Sequence, residues 1–336
     1  MPNYTHNARD SAPAVAILFF VEQVQSMHLS KLLPEPLRDR RVWLTRQQVS
    51  NPYPAFLYKY RSGQEKFLDR LIVHNELYFA HREDFNDPFD AQCHVVYGGS
   101  GSQKRARFQK LMRDNRVPFK QRDLLWRQFL DPAGSTALVQ SSFDAAADMF
   151  GIHSLTENPK SLLMWGHYAA EHRGICLQFY VPSDPAFLKT FPVRYSDSLT
   201  TADWVTDSDA ERWALNALLT KSTEWKYEEE WRMFERGRAR VAVPVSPKAL
   251  VGVIYGARCP SATMDRVRLL IAERERAGHP PMYEWQARLS PKHYGLGIFT
   301  AGNPAPRYWE GRASTRVKSV AANSDDARAP QVESSA

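Results

Sequence analysis

Two carboxylates stand two positions apart in Trp225-Lys226-Tyr227-Glu228-Glu229-Glu230-Trp231-Arg232. In an extended chain Glu228 and Glu230 project from one face. Side by side they raise each other's pKa and cost stability unless a proton, a cation or a ligand uses them. At a helix start they would instead be a solvated acidic first turn, favoured by the helix dipole. The neighbours Trp231, Met233 and Phe234 suit a half-buried strand, so the extended reading is preferred. Two further segments hold residues able to do chemistry. Leu57-Tyr58-Lys59-Tyr60-Arg61-Ser62 reads as a strand ending in a cation, and Leu77-Tyr78-Phe79-Ala80 leads on to Phe85-Asn86-Asp87-Pro88-Phe89-Asp90. Asn-Asp-Pro is a strong turn signal, because the Asn and Asp side chains bond their own backbone and proline fixes φ. Asp87 and Asp90 then either hold a loop or present carboxylates to a ligand; both readings stand.

Other chemistries have little to rest on. The chain lacks GxxxxGK, GxGxxG after a strand, HExxH and GxSxG, which lowers the odds of kinase, dehydrogenase, zinc-protease and α/β-hydrolase activity. Its three cysteines, Cys93, Cys176 and Cys259, lie 83 residues apart. They have no metal-ligand spacing and fit a reducing compartment, so a cytoplasmic protein with no bound metal is expected. His167 and His172 are five apart, on different helical faces, and the Met164-Trp165-Gly166-His167-Tyr168 run is expected to be core packing with one buried hydrogen bond.

Charge adds a second theme. The net charge is +7. Between Gly101 and Arg127 nine basic residues, including Arg105, Arg107, Lys110 and Arg113, face only Asp114 and Asp123. Apolar residues recur at Phe108, Leu111, Met112, Leu124, Leu125 and Phe129. This predicts two amphipathic helices broken near Pro118, with the arginines outward. Arg236, Arg238 and Arg240 make a second cluster, with Arg232 just before it as a further candidate contact. Such faces are either solvated or contact nucleic acid, and two clusters in one chain favour the latter.

The elements that must position these groups are legible in outline. Strands are predicted at 56–60, 76–80, 150–156, 174–181, 229–234 and 250–255. Helices are predicted at 64–71, 162–168, 212–219 and 264–276. Strands separated by helical insertions, without a βαβ rhythm, indicate an α+β fold around a central mixed or antiparallel sheet. One domain is expected over 56–300, with the basic helical insertion at about 101–130. Residues 1–55 read as an N-terminal extension and a proline-rich lead-in. Met27 is an alternative start, and the apolar run Ala14–Val21 is too short to span a bilayer. A disordered tail is expected over 314–336.

The motifs Leu57–Arg61, Phe85–Asp90, Met164–Ala169 with Gly174–Phe179, and Tyr227–Arg232, in that order, resemble an uncharacterised bacterial family of unknown function. One departure is Ala80-His81, where small hydroxyl residues are expected. More distantly, the order of parts is similar to the ADP-ribosyltransferase fold, with its split sheet. That resemblance implies NAD as substrate, Arg61 on its phosphates or ribose, and Tyr78 or Phe79 against the nicotinamide. Tyr58, Asn86, Asp87 and Asp90 would complete the NAD site. Glu230 would stabilise the oxocarbenium-like transition state and Glu228 would activate the acceptor. The acceptor would be nucleic acid or protein, with a toxin or phage-defence role and an antitoxin or regulator as partner. The rivals are a metal-dependent nuclease or phosphoesterase built on Asp87, Asp90, Glu228 and Glu230, and a non-catalytic nucleic-acid-binding module.

Overall fold

The structure, a computed structural model, describes residues 54–187, 190–207 and 210–301. The expected N-terminal extension, the Met27 start and the 314–336 tail lie outside them.

The α+β expectation holds. The main sheet has eight strands. They are β1 (Phe56–Arg61), β4 (Phe150–Thr156), β5 (Ile175–Tyr180), β6 (Thr190–Pro192), β10 (Glu230–Arg236), β12 (Leu250–Tyr255), β13 (Tyr283–Leu289) and β14 (Leu296–Thr300). Their spatial order is β14-β13-β12-β5-β1-β4-β10-β6, and every neighbouring pair is antiparallel except β12 and β13. At its centre β5, Ile-Cys-Leu-Gln-Phe-Tyr, is buried on both faces, which is why it reads as a continuous apolar run. Three two-stranded ribbons complete the β-structure. They pair β2 (Glu76–Phe79) with β11 (Val241–Pro244), β3 (His94–Val96) with β8 (Thr201–Asp203), and β7 (Arg194–Ser196) with β9 (Thr220–Ser222).

The sheet divides between β1 and β4. β1 pairs with β5 along all six residues, yet meets β4 only at Tyr58 opposite Thr156. Beyond that point the two strands part, and Lys59 Nζ reaches across to donate to the Ser154 carbonyl oxygen. On the β4 side the β2–β11 ribbon docks through a bridge between Ala80 and Ile152. The far end of β1 is held closely as well. A Cβ at Gly174 would stand 2.2 Å from the Arg61 carbonyl oxygen, so only glycine lets β5 begin there.

Alternation along β1 sorts its side chains onto the two faces. Leu57 joins a core with Leu155, Leu177, Trp231 and Val253, covered by the helices α1 (Leu68–Ile72) and α7 (Ser261–Arg276). Tyr58 and Tyr60 join the opposite core with Trp165 and Ile254, covered by α5 (Leu162–Tyr168). Ser161 caps α5 by accepting from Met164 N, and Trp165 Nε1 donates to the Pro159 carbonyl at 2.9 Å. That is the buried hydrogen bond expected of this run. His167, however, is exposed and stacks on Tyr227, 6.0 Å between ring centres, so it is no core residue.

The basic window does form two helices, α2 (Gly101–Asp114) and α3 (Arg122–Phe129). Ser100 and Gln103 close a capping box at the start of α2. The unit is larger than expected: α4 (Pro132–Ala147), capped by Asp131, and α6 (Ala210–Leu218) share its core around Phe143, Trp204 and Trp213. Arg105, Lys110 and Arg113 face solvent, but Arg107 is only 9% exposed, which corrects the all-outward reading. α1 begins at Leu68 rather than 64, after a turn.

Candidate functional site

A cavity of about 410 Å³ opens where β1 and β4 part. Lys59 and Arg61 of β1 form one wall, Tyr78 and Asn86 the rim, and Asp90, Tyr168, Lys221, Glu228 and Glu230 the opposite wall. Tyr58, Ser154 and Thr156 lie between them.

The carboxylate wall is not built as the spacing suggested. Glu228 ends a 3₁₀ turn (Thr223–Glu228), Glu229 is left-handed at φ 44°, and only Glu230 begins β10. The reversal at Glu229 nevertheless places both carboxylates against one cation. Lys221 Nζ, on β9, stands 2.6 Å from Glu228 Oε2, 3.3 Å from Glu230 Oε2 and 3.5 Å from Asp90 Oδ2. Arg232 is the second counter-charge. Its Nε donates to Glu230 Oε1 at 2.8 Å, Nη2 to Asp90 Oδ2 at 2.6 Å and Glu230 Oε2 at 3.0 Å, and Nη1 to the Leu218 carbonyl at 2.8 Å. Burial alone would raise Glu230. The Arg232 guanidinium, then the Lys221 ammonium, outweigh it and hold the carboxyl below its ordinary value. Burial would likewise lower Lys221, but Glu230, Asp90 and Glu228 together raise it, so it stays charged.

Glu228 is fixed from three sides. Tyr168 Oη donates to Glu228 Oε1 at 2.6 Å, Asn86 Nδ2 donates to that hydroxyl at 3.1 Å, and Thr156 Oγ1 donates to the Glu228 carbonyl. The Glu230 amide donates to Tyr195 Oη at 2.8 Å. Each carboxylate oxygen can accept more than one hydrogen bond, so an oriented Glu228 keeps capacity for a ligand.

The opposite wall is short of partners. Among the described residues Arg61 makes no side-chain hydrogen bond or ion pair, although its charge lies near Glu65. Glu65 Oε1 accepts from Ser62 N, and Oε2 has no partner. Burial pulls the Arg61 guanidinium down from its ordinary value. Lys59 has one acceptor, the Ser154 carbonyl. Burial, then the Arg61 charge, lower Lys59 to about 7, against the opposing pull of Glu230 and Glu228. The result is a pair of under-satisfied cations facing a paired carboxylate cluster.

That asymmetry has a measurable consequence. Lys59 binds its proton less readily folded than unfolded, so stability rises with pH between about 7 and the ordinary lysine value of 10.5. Below that window both states are protonated and the whole penalty is present; above it the penalty is gone. Lys59→Met is expected to stabilise the fold by about 1–3 kcal/mol at pH 6, after discounting for water the cavity admits. The gain should shrink steadily towards pH 10. Urea unfolding at pH 6 and pH 9.5 measures it; an equal gain at both would mean that Lys59 is ordinarily solvated.

Of the residues singled out in the sequence, the cavity gathers Arg61, Tyr58, Tyr78, Asn86, Asp90, Glu228 and Glu230. Phe79 does not reach it and packs in the core beside His153. Asp87 is turned into its own loop, where Oδ1 accepts from Phe89 N at 2.9 Å. Arg232 is fully buried, so it is the cluster's counter-ion and not a surface contact for nucleic acid. Arg105, Lys110 and Arg113 lie in the helical unit, and Arg238 is exposed beyond β10. Lys59, Lys221 and Tyr168 were missed. Tyr168 and Lys59 sat inside recognised motifs, whereas Lys221 is a lone lysine in a three-residue strand and carries no pattern.

A family model described as "Protein of unknown function (DUF2971)" matches residues 164–233. The matched stretch runs from α5 into β10, holding Tyr168, Lys221, Glu228, Glu230 and Arg232. It supports a family without an assigned activity. No curated protein and no solved structure matches the chain. Among the described residues no helix is long and apolar enough to cross a membrane.

Proposed function

We propose that the cavity between β1 and β4 binds NAD and that the protein is an ADP-ribosyltransferase acting on nucleic acid or protein. The observation that carries this reading is the pairing of two walls across the parted strands: cations short of partners on one, Arg61 with none among the described residues and Lys59 with a single carbonyl, and oriented carboxylates on the other. Lys59 and Arg61 suit the pyrophosphate, Arg61 as a planar fork. Tyr78, 46% exposed at the rim, offers a ring face to the nicotinamide.

In the reaction the bond from ribose C1′ to nicotinamide breaks, and neutral nicotinamide leaves with the bonding pair. Positive charge develops on the ribose, where Glu230, oriented by Arg232, stabilises it through the ribose hydroxyl. The acceptor's lone pair then forms the new bond to C1′, and its proton passes to Glu228, oriented by Tyr168 and Lys221. The exposed Arg105, Lys110 and Arg113, with Arg236 and Arg238, are the candidate contacts for a nucleic-acid acceptor. A toxin or phage-defence effector restrained by a partner protein fits such an activity. The metal-dependent nuclease reading has less support. The Lys221 ammonium sits among Asp90, Glu228 and Glu230, where a divalent cation would have to go, and Asp87 is spent on its turn.

The test is incubation with NAD labelled in its adenylate, beside total RNA, DNA and cell lysate. Label should move to a macromolecule, with nicotinamide released in equal amount and no effect of a chelator. A folded protein that neither consumes NAD nor transfers label would sink the reading.

A further inference from the structure

A second cavity lies outside the candidate site, in the helical unit and partly open to solvent. It measures about 260 Å³ and lies between α2, α3 and α4, walled by Phe108, Met112, Leu125, Phe129 and Val139. These are core-type residues, so the space is apolar and has no need of a chain of water. Yet three polar side chains in its lining are left unsatisfied. Arg107 makes no side-chain hydrogen bond or ion pair among the described residues, and its buried Nε has no acceptor. Trp204 Nε1, buried, has no acceptor, and Gln128 Oε1 has no donor. Asp114 and Asp207 act on Arg107 through their charge without pairing with it, and burial holds its guanidinium below the ordinary value. Asp131 also lines the space, but it is engaged as the cap of α4, accepting from Ala133 N at 3.2 Å.

A buried guanidinium without an anion is costly. Apolar walls that close on one positive charge and one N–H donor describe a site for an amphiphile with an anionic head. At about 30 Å³ per water-sized group, the volume admits roughly nine such groups. That is the size of a medium-chain acyl carboxylate. We propose that the helical unit binds such a monocarboxylate, its head on Arg107 and the Trp204 indole N–H and its chain among the five apolar residues. Neither the NAD reading nor any residue of that site enters the argument. The site also accounts for Arg107 turning inward from an otherwise solvent-facing basic helix.

The test uses the full chain and octanoate, followed by titration calorimetry and by the shift of the 1-¹³C carboxyl resonance. Saturable one-to-one binding is expected, at least tenfold tighter than butyrate, which is too short, or octanol, which lacks the charge. Arg107→Gln, shown to be folded by its circular dichroism, should weaken octanoate at least tenfold and leave octanol unchanged. No saturable binding in the millimolar range overturns the proposal. So does octanol binding as tightly as octanoate, or full octanoate affinity in Arg107→Gln. If that variant does not fold, the chain-length and charge series on the native protein decides alone.

Discussion

Arg232→Met is expected to destabilise the protein by about 3–5 kcal/mol, the cost of breaking a buried ion-pair network from one side. The guanidinium is fully buried and serves Glu230, Asp90 and the Leu218 carbonyl together. Its removal leaves Lys221 as the one cation paired with Glu230 and Asp90 among the described residues, already shared with Glu228, and strands a carbonyl at the end of α6. Methionine fills similar volume, so the loss is electrostatic and not a cavity effect. Arg232→Lys should recover part of it, because an ammonium can neutralise but cannot span three acceptors as the planar fork does. The acid side gives an independent check. Glu230 has its folded pKa held below the ordinary glutamate value of 4.5, so its contribution is complete above that pH and is lost as pH falls through the folded value. The gap between native protein and variant should therefore narrow in acid. Urea unfolding at pH 7 and pH 3.5 measures both effects. A loss under about 1 kcal/mol at pH 7 would mean that the cluster is hydrated and its geometry dispensable.

That network also marks where the sequence stops being readable. β4, β5, β10 and β12 are legible because each buries a run of four or more residues against a core, and β1 because its buried Leu57, Tyr58 and Tyr60 form an apolar and aromatic stretch that ends in Arg61. β3 and β6 to β9 have three residues each, too few for any period to register. They are defined only by the chain that happens to lie beside them. α4 hides for a different reason. Pro-Ala-Gly-Ser-Thr-Ala-Leu-Val-Gln-Ser-Ser-Phe-Asp-Ala-Ala-Ala buries serines and alanines as much as large apolar side chains, so its inward face has no contrast. β13 did carry a signal: Trp285 and Ala287 alternate with Glu284, Gln286 and Arg288 after a Pro-Pro stop. The same contrast holds at the site. Arg61, Asn86, Asp90, Glu228 and Glu230 are visible because polar residues at strand ends and tight turns stand out locally. Lys221 acquires its meaning only when β9 folds beside β10. The Glu229 reversal is invisible too, since nothing in Glu-Glu-Glu announces a left-handed residue.

Glu228→Gln is the substitution that tests the chemistry most cleanly. Glutamine keeps the shape and can still accept from Tyr168 through its carbonyl, but it removes the charge, the basicity and the acceptor for Lys221, whose ammonium then meets the amide NH2. Lys221 retains Glu230 and Asp90 as partners, so the variant should fold. If Glu228 takes the acceptor's proton, kcat for transfer to the acceptor should fall about 10²–10³-fold, in the range general-base catalysis supplies. On the proposed NAD reading KM for NAD should stay nearly unchanged, because the pyrophosphate would rest on the other wall. Slow hydrolysis of NAD by water should then suffer less than transfer, since on the same reading breaking the nicotinamide bond would depend on Glu230 and not on Glu228. Reversing the exposed charges, for example Lys110→Glu with Arg113→Glu, should do the opposite. It would raise KM for a nucleic-acid acceptor and flatten its salt dependence while leaving NAD hydrolysis alone. Transfer and hydrolysis falling together in Glu228→Gln would move the base to Glu230. Transfer that survives undiminished would leave Glu228 as the anchor of Lys221 and nothing more.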